Sequence, residues 1–314
     1  MSHKRRIKKA VPPVRASRTG ALLDAFTEYD LERWSSRSMD LQRYSDHVYF
    51  EMERERARNH DKICAALRSI PSIEVNVDDW VRVSDYRWSL TPLSAAGSIK
   101  GTGGRFNIGD DLDRARNQQF PALYIGKTVE TGMCEFFGSP LNSKAGPLTL
   151  HELSLRRKTS FTTFSLRGRV ENVLDLRSHK HLKPFTEIVK TFRLSKETQR
   201  FSRTAKLTPY KLVKNSLELW NHVLAPSVVW RGEPNMFGIP SASQIFGRFV
   251  RDSGFEAVLY PSQQGGEECL AIYPQNFVSS NSQIGIVGGV PDGATCTVLD
   301  KDNMCLDGIA LPTR

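Results

Sequence analysis

The chain has 314 residues, of which 39% are hydrophobic and 25% are charged. It is long enough for one large domain or two ordinary ones, and apolar enough to bury a core. It contains no run of about 18 apolar residues, so we expect no membrane span. Residues 1–18 lack an apolar segment of the kind found in secretory signals, so we expect a cytoplasmic protein.

The cysteines are five in number and widely spaced, which predicts reduced, buried thiols rather than disulfides. Zinc would need clustered Cys or His ligands, and the sequence shows no such cluster, so we expect no metal site.

The net charge of +10 is unevenly distributed. Residues 1–20 carry seven Lys and Arg and no acid, and residues 156–214 carry sixteen basic residues against four acidic ones, so the rest of the chain is acidic. Such blocks fit electrostatic binding of nucleic acid, a solvated helical surface or an acidic protein partner. The sequence leaves these three interpretations open.

The predicted elements begin with a basic disordered arm over residues 1–20, which also contains Pro12 and Pro13. A helical N-terminal extension follows over 21–72, because apolar residues recur at helical spacing and Pro71 marks a boundary. These apolar positions include Leu22, Leu23, Phe26, Tyr29, Leu31 and Trp34.

The region predicted to be catalytic covers residues 73–278. It opens with β-type alternation over 75–83 and a glycine-rich loop over 94–109. A buried strand is predicted over 122–126, a helix over 129–137 and a strand over 148–155. A basic helical insertion is predicted at about 156–225, strands at 257–260 and 269–273, and a C-terminal tail over 279–314.

The chemistry-bearing residues start with Gly103-Gly104-Arg105-Phe106-Asn107, where glycines allow close approach of a ligand and Arg105 offers forked donors for phosphate. Tyr124 lies on the next predicted strand and could stack on a ring, although a core role is also open. Glu135 lies in the apolar helix and supplies a carboxylate, unless it is an exposed helix residue. Ser262 ends a late strand and could orient a ligand or belong to a turn. The histidines are scattered and Ser262 lacks a nucleophile-elbow setting, so a serine hydrolase is not predicted.

These motifs resemble the RES domain, over about residues 80–140 and 240–278. The resemblance implies an NAD site formed by Arg105, Tyr124, Glu135 and Ser262, with Gly103, Gly104 and Asn107 in the binding loop. Either Arg82 or Arg87 corresponds to a further arginine near the start of the domain. It also implies an α+β fold like that of ADP-ribosyltransferases, a split mixed β-sheet surrounded by helices. The spacing between Arg105 and Tyr124 is longer than in compact members, so Asp110–Pro121 is interpreted as an insertion.

The resemblance further implies an enzyme that cleaves the nicotinamide–ribose bond of NAD by phosphorolysis or hydrolysis, as a growth-inhibiting toxin. NAD would be a substrate, inorganic phosphate a co-substrate, and no cofactor would be tightly bound. The implied partner is an antitoxin with a helix-turn-helix domain, and a homodimer is left open. Two alternatives are an ADP-ribosyltransferase that modifies a macromolecule and a non-catalytic nucleic-acid-binding protein.

Overall fold

The structure is a computed structural model, and it describes residues 27–138, 142–143, 146–147, 160–225 and 230–306. The predicted arm over 1–20 and the predicted strand over 148–155 lie outside these residues. Within the described part, no helix is both long and apolar enough to cross a membrane.

The described helices surround a large β-sheet. In chain order they are α1 (Glu28–Arg58), α2 (His60–Arg68), α3 (Val129–Phe137), α4 (Lys183–Val189), α5 (Lys196–Thr204), α6 (Ser216–Val223), α7 (Gly232–Phe237) and α8 (Ala242–Asp252). The strands are β1 (Ile73–Asn76), β2 (Val81–Asp85), β3 (Gly103–Gly104), β4 (Asn107–Ile108), β5 (Leu123–Gly126), β6 (Asn142–Ser143), β7 (Gly146–Pro147), β8 (Phe161–Asp175), β9 (Ala257–Pro261), β10 (Glu268–Ile272), β11 (Gln283–Val287) and β12 (Val298–Leu299).

The main sheet has the order β12-β11-β8-β2-β5-β10-β9, and β1 also pairs with β8. β8 pairs with β2 near its start and with β9 near its end, so β8, β2, β5, β10 and β9 form a closed ring of pairings. The β8–β9 pairing is parallel and its neighbours are antiparallel. This mixed sheet with surrounding helices confirms the predicted α+β class.

The N-terminal helices are part of the main core. α1 begins at a capping box in which Thr27 and Asp30 bond each other's backbone, which satisfies donors at the helix start. Tyr44, Val48 and Met52 of α1 are buried in the largest apolar cluster. The earlier apolar positions behave differently, since Tyr29, Leu31 and Trp34 are exposed. The helical prediction for 21–72 is therefore confirmed where the structure describes it, but the packing begins further along α1.

The prediction of a helical insertion over 156–225 is wrong for its first part, because residues 161–175 form β8. This strand is the longest in the described chain and pairs with β1, β2, β9 and β11. Its basic residues Arg167 and Arg169 do not mark an insertion. Both are exposed, and they alternate with the buried Phe164, Leu166 and Val170. Successive side chains of a strand point to opposite faces of the sheet, so one face can be basic while the other packs in the core. The helical prediction holds from α4 onwards.

The prediction of a tail over 279–314 is also wrong in part. β11 pairs with β8 from Gln283↔Arg169 to Val287↔Ser165, and β12 pairs with β11. Ile284 and Leu299 are fully buried in the apolar cluster on one face of the sheet. Residues 283–299 therefore complete the sheet, despite their high content of Gly and polar residues.

Candidate active site

A cavity of about 270 Å³ opens where β2, β5, the β3–β4 hairpin and α3 meet. Its volume lies near the lower limit for small-molecule sites, which is about 300 Å³. Arg105, Tyr124 and Glu135 all line it. The structure thus brings together three of the four residues predicted to be catalytic, and the fourth, Ser262, contacts the third.

Arg105 stands at the tip of a tight hairpin. Gly103 and Gly104 pair with Ile108 and Asn107, which leaves Arg105 and Phe106 as the two loop residues. Burial lowers the pKa of Arg105, because the charged form loses hydration there. Its guanidinium is held by an Nη1 hydrogen bond of 2.6 Å to the Ala225 carbonyl and lies 5.4 Å from the centre of the Trp230 ring. The Ala225 bond uses one of five N–H donors, so the fork keeps capacity to bind an anion.

Tyr124 supports the hairpin from β5. Its hydroxyl accepts from the Phe106 N–H at 2.9 Å and donates to Asn107 Oδ1 at 2.8 Å. A Cβ on Gly104 would overlap the Tyr124 ring, which explains the glycine at this position. Burial raises the pKa of Tyr124, so its hydroxyl is neutral at physiological pH. The ring lines the cavity while the hydroxyl fixes the loop that carries Arg105.

Asn107, which was predicted to bind the ligand, is fully buried and is not among the cavity-lining residues. Its Oδ1 accepts from the Gly104 N–H at 2.9 Å, and its Nδ2 donates to the carbonyls of Ser98 and Phe120. Gln244 of α8, also fully buried, donates to the carbonyls of Thr102 and Asn107. A short loop can hold a charged side chain in place only if its backbone is fixed, and these two amides fix it.

Glu135 is partly buried near the end of α3. Its Oε1 accepts from Ser262 Oγ at 2.6 Å and from the Gln263 N–H at 3.1 Å. Both donors use the same oxygen, which leaves Oε2 to accept from a ligand. The prediction that Glu135 and Ser262 meet is confirmed, but Ser262 is not among the cavity-lining residues. Ser262 therefore orients the Glu135 carboxylate from outside the cavity wall.

Close packing of α3 against the sheet brings Glu135 to the cavity. A Cβ on Gly126 of β5 would come within 2.6 Å of the Gly132 backbone nitrogen, so the helix rests directly on the strand. At the other end of α3, Thr131 Oγ1 accepts from the Glu267 N–H at 3.0 Å, which joins the helix to the loop that carries Ser262. The helix and that loop form one unit around the carboxylate.

Both Arg82 and Arg87 line the cavity. Arg82 donates to the Tyr124 carbonyl at 2.9 Å, and burial lowers its pKa to about 10, so it remains charged at physiological pH. Arg87 is exposed and pairs with Asp85 at 3.2 Å. The Nε of Arg82 and the Oγ of Ser84 are buried and have no hydrogen-bond partner in the described part of the chain. Both polar atoms belong to residues of the cavity wall.

Sequence reasoning missed several wall residues. Trp230 is buried between two arginines, with Arg105 at 5.4 Å and Arg231 at 5.0 Å from its ring. Lys100 adds a charge and Tyr260 an aromatic surface. The wall then holds five cationic and two acidic side chains, a net charge of +3. Two of these residues had a usable signal, since Tyr260 lies on β9 two residues before Ser262 and Lys100 lies in the predicted glycine-rich loop, but no local pattern marks Trp230 or Arg231.

Comparison with known proteins gives a family match. A family model described as RES domain matches residues 79–288. Among solved structures, the crystal structure of the M. tuberculosis MbcT-MbcA toxin-antitoxin complex is similar at 14% sequence identity and a TM-score of 0.37, covering 72% of this chain and 92% of that chain. No curated protein matches.

Proposed function

This chain belongs to the RES domain family, and from that premise we propose that it is an NAD-degrading enzyme that cleaves the nicotinamide–ribose bond. One observation carries the proposal: Arg105, Tyr124 and Glu135 line a single cationic cavity, and Ser262 holds the Glu135 carboxylate. These residues lie up to 157 positions apart in the chain, and the fold brings them to one site.

The reaction places defined demands on such a site. The bond from ribose C1′ to the nicotinamide nitrogen breaks, and its electron pair goes to nicotinamide, which leaves as a neutral molecule. Positive charge then develops on the ribose, and an oxygen of phosphate or water forms the new bond to C1′. With water, one proton is released. An enzyme accelerates this step by stabilising the developing charge more than the ground state.

The cationic part of the cavity suits the pyrophosphate of NAD. Arg105 and Arg231 flank Trp230, and Arg82 and Lys100 add charge to the wall. A guanidinium can bind two phosphate oxygens at once, and partial burial strengthens that interaction relative to water. We assign Arg105 to the pyrophosphate, because its position is the most constrained.

The carboxylate of Glu135 suits the ribose. Two donors bind Oε1, so Oε2 is oriented to accept from a ribose hydroxyl and to stabilise positive charge on the ring. The aromatic rings of Tyr124 and Tyr260 in the wall offer surfaces for nicotinamide. NAD would thus be a substrate, and the proposal requires no tightly bound cofactor.

Inorganic phosphate is the proposed acceptor, with water as the alternative. A bound pyrophosphate would neutralise the net charge of +3 on the wall only in part, and the positive charge that remains favours an anionic acceptor. Family membership also supports a growth-inhibiting role and an antitoxin partner with a helix-turn-helix domain. Co-purification of such a partner with the chain would test that extension separately.

The decisive experiment is an incubation of the purified full chain with NAD, with and without phosphate. We expect release of nicotinamide, and faster release with phosphate if phosphate is the acceptor. NAD labelled in the ADP-ribose part shows where the product goes, because stable label on a macromolecule would indicate ADP-ribosyl transfer. Intact NAD after incubation of folded, partner-free protein would contradict the proposed function.

A further inference from the structure

Residues 190–214 form a strongly basic segment of the described chain. This segment contains eight Lys and Arg residues and a single acidic residue, Glu197. None of its residues lines the cavity. The NAD-cleaving function proposed above therefore does not explain this charge.

Helix α5 arranges part of this charge in a row. Lys196, Arg200 and Arg203 follow at i, i+4 and i+7, which places them on one face of the helix, and all three are exposed. We call these three residues the α5 cationic face. The opposite side is buried through Thr198 and Ser202.

Contacts with α1 hold this row in a fixed orientation. Phe201 of α5 stacks with the rings of Tyr44 and His47 on α1, at 6.4 and 6.0 Å between centroids. Glu51 of α1 caps the start of α5, since it accepts from the Ser195 N–H at 2.7 Å and from Thr198 Oγ1 at 2.7 Å. Because α1 belongs to the main core, the cationic face is presented by a rigid element.

The charges of this face are not neutralised by the protein around them. Within the described residues, none of Lys196, Arg200 and Arg203 forms an ion pair. Arg193 precedes the helix and Lys206 follows it, and both are exposed. From Arg193 to Lys206 the segment carries five cations and one acid, Glu197, so its net charge is positive and attracts an anionic partner.

The chemistry of the surface selects among anionic partners. A protein interface needs aromatic or large apolar residues at its centre and is poor in lysine. The exposed large hydrophobic side chains of the described chain include none from 190–214. A phosphate backbone needs only cations and needs no apolar anchor. We propose that the α5 cationic face binds the phosphate backbone of duplex nucleic acid without sequence preference.

The dimensions agree with this partner. From Lys196 to Arg203 the helix rises about 10 Å, at 1.5 Å per residue. A duplex carries one negative charge per about 1.7 Å of its axis, so a row of this length meets several phosphates. Contacts to phosphate position a protein on the duplex but read no bases. The amide of Gln199 in the same helix donates to the Leu194 carbonyl at 2.9 Å and is therefore engaged within the protein, and Glu197 is the one carboxylate of the helix.

The test compares three full-length proteins by fluorescence anisotropy with a labelled DNA duplex of about 30 base pairs and arbitrary sequence, over about 50 to 200 mM salt. The first is the natural chain, and the second carries Lys196→Gln, Arg200→Gln and Arg203→Gln. The third carries Lys62→Gln, Arg68→Gln and Arg114→Gln, which remove equal charge from exposed sites elsewhere. Residues 1–20, with seven further cations, are present in all three. Equal melting temperatures verify that the variants fold.

We expect the slope of log affinity against log salt to become shallower by about 2.7 in the α5 variant, which is 0.9 for each lost phosphate contact. The control variant should retain most of the natural slope. Equal slopes in the two variants, or no binding of the natural chain to the duplex, would overturn the proposal. Binding of polyglutamate that depends on the α5 residues, without a matching effect on duplex, would point instead to an acidic protein and would equally overturn it.

Discussion

The cationic and anionic parts of the cavity are held in different ways. Glu135 is oriented by hydrogen bonds, from Ser262 and from the backbone of Gln263. Arg105 is oriented by one carbonyl bond and by the face of Trp230, and it loses hydration through burial. A carboxylate fixed by two donors keeps one orientation, whereas a desolvated guanidinium gains most when an anion binds.

This difference suggests a division of roles. In the proposed reaction, the arginine end would gain affinity from binding the charged part of the substrate, which is present in both ground state and transition state. The glutamate end would act on charge that develops only during bond cleavage. Interactions of the first kind mainly affect KM, and those of the second kind mainly affect kcat.

The largest expected effect follows from removing the anion. Glu135→Gln keeps the size of the side chain and should lower kcat for NAD cleavage on the order of 10²- to 10³-fold, the range seen when one preorganised electrostatic contact is lost. KM should change little. Glu130→Gln, on the exposed first turn of the same helix, is the matched control and should leave kcat unchanged. An unchanged kcat in Glu135→Gln would show that Glu135 has no role in the reaction and would contradict the proposed division of roles.

Removal of the cation should act mainly on binding. Arg105→Ala should cost about 1.5 to 3 kcal/mol, which is about 10- to 150-fold in kcat/KM, because a charge-assisted contact is lost. Most of the effect should be a higher KM for NAD. Arg114→Ala, an exposed arginine outside the cavity, serves as control. A pure loss of kcat with unchanged KM would reverse the assignment of the two ends.

Tyr124→Phe separates loop support from ligand contact. The ring remains, but the Phe106 N–H and Asn107 Oδ1 lose a buried partner, so the free energy of unfolding should fall by about 1 to 3 kcal/mol. Denaturant titration measures the loss, with Tyr86→Phe at an exposed position as control. If stability is retained while activity disappears, the hydroxyl acts on the substrate rather than on the loop.

The smallest effect is expected at Ser262. Ser262→Ala removes one of two donors to Glu135 Oε1, and the Gln263 N–H remains. We expect a loss of about 1 kcal/mol, roughly fivefold in kcat. Ser279→Ala, on the exposed segment before β11, is the control. A loss in kcat as large as that of Glu135→Gln would show that Ser262 itself contacts the reacting atoms.

Local motifs predicted the parts of the molecule that depend on local chemistry. The helix over 129–137 has the predicted bounds, because Thr128 caps its start and Gly138 ends it in a left-handed conformation. Arg105 and Glu135 were identified from short patterns and from the family resemblance, and both lie in the wall.

What the sequence did not reveal depends on tertiary placement. β8 was read as part of a basic insertion, although Phe164, Leu166 and Val170 keep a period of two that a charge count does not register. Trp230 reaches Arg105 across 125 positions of chain, and Asn107 was assigned to the ligand because its burial could not be read from the motif. Composition predicts neither the contact between Trp230 and Arg105 nor the burial of Asn107, since both follow from the packing of distant elements.

We propose that one cavity holds NAD with its pyrophosphate at Arg105 and its nicotinamide ribose at Glu135. A crystal structure of the Glu135→Gln variant with NAD tests it most directly, because slow turnover preserves the substrate. We expect pyrophosphate oxygens within hydrogen-bond distance of the Arg105 guanidinium and a ribose hydroxyl beside residue 135. NAD bound elsewhere, or bound here with its pyrophosphate away from Arg105, would contradict it.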